Sequence, residues 1–269
     1  MSNTKVFAKK VRQNIIHMVN RGKSSHVASA LSTVDILAVL YAKIMHIDPQ
    51  NPTLSTRDYF LLSKGHAGAA VYATLSERGF FDKKRLHEHC QNGAYLSGHV
   101  SHKEVPGVEL STGSLGHALS VGTGLAYAGK LENNTQRVFV LLSDGECDEG
   151  SNWEAILFAG YHQLHHLVAI VDYNKIQSLG SVKDTLDLEP FAEKWRAFRW
   201  DVIEVDGHDH GALEQALTKK QASAKPLCII AHTTKGKGVP FMENQVLWHY
   251  RSPQGLDYEK ALEDLGESP

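Results

Sequence analysis

The chain has 269 residues, of which 42% are hydrophobic and 22% charged, with 28 basic against 30 acidic side chains and a formal charge of −2. That balance belongs to an ordinary globule with a sizeable core and excludes a disordered tail, a collagen and a disulfide-stapled miniprotein. It carries no electrostatic footprint for nucleic acid.

The N-terminus lacks the apolar segment of a secretory signal, and a cytoplasmic setting is expected. Cys90, Cys147 and Cys228 are too scattered for a disulfide framework or a zinc cluster and read as small buried thiols. Leu110 to Gly129 holds no charged residue and matches a membrane span in length. Its five glycines and His117 instead suggest a helix of small residues packed closely inside the protein, with no membrane contact. Sixteen histidines should make the net charge respond strongly to mild acid.

In chain order, Lys5 to Asn20 patterns as an amphipathic helix with Val6, Val11, Ile15, Met18 and Val19 on or near one face. A second helix should start near Thr33, a candidate cap, with Asp35 in its first turn. Asp48 to Pro52 breaks the chain. Tyr59 to Leu62 reads as a short strand running into Ser63-Lys64-Gly65-His66 and a helix. Arg137–Leu142 and Leu167–Val171 are buried strands flanking a helix over Asn152–Leu164. Phe191–Phe198 is helical, Asp201–Val205 a strand, Ala212–Ala224 a helix with Lys219 and Lys220 late in it, and Leu227–Ala231 a strand. Apolar strands alternating with helices predict an α/β fold: one parallel sheet with helices on both faces. Ligands then sit beyond the carboxyl ends of the strands. The segments to inspect are therefore 143–150, 172–177 and 233–238.

The first two of those segments carry matching chemistry. Asp144-Gly145 follows one buried strand and Asn174 follows the next, one strand–helix–strand unit later. A carboxylate and an amide oxygen at one sheet edge can hold a hard cation whose remaining sites go to phosphate oxygens and water. Asp-Gly alone is ordinary turn chemistry. The pair resembles the diphosphate and metal motif of thiamine-diphosphate enzymes. Ser24-Ser25-His26, Leu62 to His66, Ser97-Gly98-His99, Ser111 to Gly116, Glu149-Gly150, Lys235 to Gly238 and Trp248-His249 then occur in the order seen in transketolases. The resemblance runs from about residue 5 to 255.

The resemblance implies that Asp144, Asn174 and the backbone carbonyl of Ile176 ligate Mg²⁺, or another divalent cation such as Ca²⁺ or Mn²⁺. It implies that Gly145, Asn174, His66 and His249 contact the diphosphate of thiamine diphosphate, and that Gly113, Ser114 and Leu115 hold its rings. His26, His99 and His249 would face the sugar as catalytic imidazoles. Glu149 and Glu154 would lie where two protein chains meet, although an exposed helix start accounts for them equally well. Lys235 and Lys237 read as solvated loop charges outside the site. Three positions depart from the family pattern: Ser143 replaces glycine, His117 replaces glutamine, and Tyr250 and Arg251 follow His249 where a small residue is common.

The residues from 1 to 269 fit one diphosphate-binding domain. The family's pyrimidine-binding and C-terminal domains are expected on a partner chain, the C-terminal half of a split transketolase, in a heterotetramer acting on sugars or sugar phosphates. Two alternatives are half of another thiamine-diphosphate enzyme, such as a deoxyxylulose-phosphate synthase, and a non-catalytic interaction protein.

Overall fold

The computed structural model describes residues 4–218 and 224–267. Its helices are α1 (Thr4–Gly22), α2 (Val27–Leu31), α3 (Val34–Val39), α4 (Gly68–Arg78), α5 (Ala118–Leu131), α6 (Gly150–Tyr161), α7 (Val182–Thr185), α8 (Phe191–Ala197), α9 (His210–Thr218) and α10 (Leu256–Asp264). The strands are β1 (Tyr59–Leu62), β2 (Val138–Ser143), β3 (Leu167–Tyr173), β4 (Asp201–Asp206) and β5 (Leu227–His232). They form one parallel sheet in the order β1-β2-β3-β5-β4.

Every residue of β2 and β3 is buried, because helices cover both faces. Successive side chains still separate by face. Phe139, Leu141, Val168, Ile170 and Ile229 enter a core shared with α1, α3 and α4. Val138, Val140, Leu142, Ala169, Val171 and Ile230 enter a second core with α5, α6 and α8. Being parallel, all five strands deliver their carboxyl ends to one edge. Register pairs Ser143 with Asp172 and Tyr173 with His232 there.

Four expectations need correction. Val6 is 50% exposed, and the buried stripe of α1 runs through Phe7, Val11, Ile15, Met18 and Val19 instead. The Thr33 hydroxyl does not cap; it donates to the Ala30 carbonyl at 2.8 Å. Asp35 does stand in the first turn of α3, where it is also a buried anchor, accepting from Arg12 and holding His208 and His210. Leu110 to His117 is loop, and helix begins only at Ala118. There Gly122 packs against the β2 side chains, whereas Gly124 faces open space. Cys90 is exposed, unlike Cys147 and Cys228. The expected end of α9, with Lys219 and Lys220, lies outside the described residues. A different run, Val27–Ile44, has the length and hydropathy of a membrane span, and 83% of it is buried inside this fold.

Candidate active site

The site is assembled where β1, β2, β3 and β5 end. Asp144 leaves β2 into a tight turn. Its two carboxylate oxygens accept from the backbone N–H of Gly145 at 2.7 Å and of Lys175 at 2.6 Å. The loops after β2 and β3 are thereby tied together. Asn174 is oriented from both ends: its Oδ1 accepts from Ile176 N at 3.1 Å and its Nδ2 donates to Asp172 at 3.2 Å. Burial, reinforced by the charge of Asp172, pushes the Asp144 carboxyl up to about 6. Such a group favours a bound cation. Among the described residues no three His, Cys, Asp or Glu side chains gather that could hold a metal by themselves. A cation on Asp144 and Asn174 would need further oxygens from a ligand.

Beneath this edge lies a charge network that sequence reasoning misses. The side chains of Lys64 and Asp172 are fully buried and ion-paired. Asp172 also accepts from Ser32 at 2.6 Å and from the Thr233 hydroxyl. Burial alone would raise Asp172, but the Lys64 charge and these hydrogen bonds outweigh it and hold the carboxyl below its usual range. Lys235 is likewise buried, contrary to the expected solvated charge, and donates to the carbonyl of Ile176 at 2.8 Å. Burial and then Lys64 pull it down to about 8. A sequence signal exists for part of this. Lys64 sits inside the Leu62–His66 motif, and Asp172 is a charge within a strand otherwise fit for a core.

Four histidines converge above. The ring centroid of His26 lies 5.2 Å from His66, 5.5 Å from His99 and 4.8 Å from His249, and His66 and His249 are 5.6 Å apart. They come from four separate segments of the chain. His26 takes a left-handed backbone, φ 71°, and its N–H donates to the His249 carbonyl at 2.9 Å. The His66 ring meets the Ser29 hydroxyl at 2.9 Å. Burial first, then neighbouring cations, lowers His26 to about 4, His249 to about 3, and His66 well below its ordinary value. These three imidazoles are neutral near pH 7, so each offers one donor and one acceptor. These three therefore add little to the expected response of the net charge to mild acid.

The loop carrying Gly113, Ser114 and Leu115 runs beside this cluster; a Cβ on Gly113 would lie 3.5 Å from the His99 ring. Gly113 and Ser114 are exposed and Leu115 is half-buried. Gly145 approaches the loop after β3 so closely that a Cβ would meet the Gln177 side chain at 2.8 Å. Glu149 and Glu154 stand exposed at the start of α6 and make no described contact with the histidines.

The chain matches the family described as transketolase, thiamine diphosphate binding domain, over residues 3–266. This chain belongs to the transketolase family. A protein of Phocaeicola vulgatus named as one of the subunits of apulose-4-phosphate transketolase is 38% identical over 261 residues, 97% of this chain and 92% of that protein. The 6-deoxy-6-sulfo-D-fructose transketolase subunit SqwG of a Clostridium species is 38% identical over 240 residues, 89% of this chain and 87% of that protein. The crystal structure of Campylobacter jejuni transketolase superposes with a TM-score of 0.92 at 31% identity. It is matched over the whole of this chain and 43% of its own, so this chain spans less than half of that transketolase.

The transketolase site fits its cofactor on two observations. His249 Nδ1 is buried with no hydrogen-bond partner in the protein, which is the state of a ring nitrogen awaiting a ligand. Lys64 and Lys235 place two cations under the cleft where a diphosphate would need them. The Ile176 carbonyl is engaged by Lys235 and has its second lone pair for a metal.

Proposed function

We propose that this chain is the diphosphate-binding half of a transketolase divided between two chains, moving a two-carbon ketol unit from a ketose to an aldose. The observation that carries the reading is the meeting of His26, His66, His99 and His249 beside the Asp144–Asn174 edge. Asp144, Asn174 and the Ile176 carbonyl would hold Mg²⁺ or a similar divalent cation. Gly145, Asn174, His66 and His249 would hold the diphosphate; Gly113, Ser114 and Leu115 would seat the rings. Thiamine diphosphate would supply the stabilised carbanion that C–C bond transfer requires.

The chain's own part is proton management and orientation. The imidazoles of His26, His99 and His249 are placed to give protons to, and take them from, sugar hydroxyl and carbonyl oxygens near neutral pH. Lys64 pairs with Asp172 and fixes the floor on which the His66 loop rests.

The second half of the cleft belongs to a separate C-terminal chain, in a heterotetramer with two copies of each. Support comes from relatives that are named as single transketolase subunits and match this chain over nearly their whole length. Exposed apolar side chains on α5 and α6, namely Val121, Leu131, Leu157, Phe158 and Tyr161, supply surface for association. Glu149 and Glu154 sit at the start of this face. The three free thiols suit a reducing cytoplasm. Sugars with an anionic tail, including phosphates, are the substrate class, in keeping with the relatives' names. The test is a ketose-to-aldose transfer assay with thiamine diphosphate and Mg²⁺. Turnover should require both chains and saturate near equal molar amounts; turnover by the purified single chain would defeat the divided-enzyme reading.

A further inference from the structure

Glu146 has no place in the chemistry so far. It is fully buried, and among the described residues no cationic side chain bonds to it. Its carboxylate is nevertheless saturated. One oxygen accepts from the Ser63 hydroxyl and from Gly116 N at 2.9 Å, and the other accepts from Ser143 N at 3.2 Å. Ser63 and Gly116 belong to two other loops, and Ser143 is the last residue of β2, three residues before Glu146. Ser63 precedes Lys64-Gly65-His66, Gly116 closes the Gly113–Leu115 loop, and Ser143 precedes Asp144. Each segment carries a residue of the candidate site.

Glu146 is itself rigidly mounted. Its carbonyl accepts from Asn152 Nδ2 at 2.7 Å, which anchors it to the first turn of α6. Gly116 is gripped a second time, because its carbonyl accepts from Ser151 Oγ at 2.7 Å. Its φ of +84° and the nearness of Ser151 and Glu149 leave no room for a side chain. Burying a carboxylate without a counter-ion is costly, and a purely structural tie between loops could be made by neutral groups. Two of the donors are backbone N–H groups that can only donate, and they lie on opposite oxygens. A carboxyl group can accept on both of its oxygens, whereas an amide presents one acceptor and one donor.

We infer that Glu146 is a positioning residue, a strut that sets the separation of the His66 loop, the Gly113–Leu115 loop and Asp144 before any ligand arrives. The inference rests on the proposed cofactor reading only for what the three segments hold. The strut itself is a property of the free chain.

The test pairs two measurements on Glu146→Gln, with Ser63→Ala as a milder variant and Ile229→Val as a plain core destabiliser. In the first, hydrogen–deuterium exchange on the free chain follows the segments 113–117 and 141–145 against β3. Glu146→Gln should speed exchange in both segments at least ten-fold and leave β3 unchanged. Ile229→Val should show no such local effect. In the second, calorimetric titration of the assembled enzyme with thiamine diphosphate and Mg²⁺ separates affinity from the competent fraction. The dissociation constant should rise at least ten-fold for Glu146→Gln and about three-fold for Ser63→Ala, with stoichiometry retained. A role in folding alone would lower the stoichiometry and spare the dissociation constant, and that result overturns the inference. So does unchanged exchange in both segments. Should Glu146→Gln not fold, Ser63→Ala decides by the same two readouts. A wild-type assembly that fails to bind the cofactor would defeat the functional reading, while the exchange measurement would still decide the strut.

Discussion

At the level of single residues the site combines one exposed problem with one hidden solution. In the proposed reading Asp144 would present a carboxylate to a cation, yet it is buried and held by two backbone N–H groups. Asp144→Asn keeps an oxygen for one of them and removes the charge. We expect cofactor affinity with Mg²⁺ to fall more than ten-fold in calorimetric titration, with a melting temperature within a few degrees of the wild type. The histidines make a prediction about acid. His26, His66 and His249 are held below their ordinary values in the fold, whereas the unfolded chain titrates near 6.5. Between about 6.5 and 4 the unfolded chain takes up protons that the folded one refuses. Their neutrality is therefore no cost above pH 6.5, and stability is lost as pH falls through that window. The urea midpoint should drop between pH 7.5 and 5, and His66→Asn should flatten the drop. An equal drop in the variant would place its origin elsewhere.

Secondary-structure elements reveal why part of this was legible in advance and part was not. Strands β1, β2, β3 and β5 were readable because runs such as Val138-Phe139-Val140-Leu141 are apolar on both faces, and local composition alone marks them. The meeting of Asp144 and Asn174 at one sheet edge was readable because each follows such a run. Ion pairs between distant segments carry no local mark. Lys64 and Asp172 look like ordinary loop and strand-end charges until the fold unites them. Asp35 reads as a helix-start acid, yet it joins α1 through Arg12 to α9 through His210, and to the loop before α9 through His208. Asp35→Ala should leave the Arg12 guanidinium buried without its carboxylate and cost about 3–5 kcal/mol in chemical denaturation, the range for a broken buried pair. A loss below about 1 kcal/mol would show that water replaces it. Gly160 makes a similar point for α6. A Cβ there would stand 1.9 Å from the Phe198 carbonyl, so Gly160→Ala must push α6 from the end of α8. We expect a cost of about 1–3 kcal/mol from overpacking, read as a lower melting temperature.

For the molecule as a whole, the sheet edge and the apolar face of α5 and α6 divide the labour. In the proposed reading the first would hold the ligand and the second would meet other chains. Leu157 is 57% exposed, so the free chain loses little packing when it is replaced. Leu157→Glu should therefore leave the stability of the free chain within about 0.5 kcal/mol of wild type. It should weaken assembly measured by light scattering with size exclusion. Undiminished assembly would move the interface to another face.

The hydrogen bond from the His26 N–H to the His249 carbonyl bears on how the protein is made. Synthesis delivers the N-terminus first, and all five strands are complete once His232 has left the ribosome. The strands and three of the four imidazoles therefore emerge before the fourth. Closing the ring of histidines is a late, long-range event, of the kind that topology makes slow. A chain ending at residue 240 would carry the Asp144–Asn174 edge without His249, so the cleft is completed by the segment that follows the last strand rather than by the core.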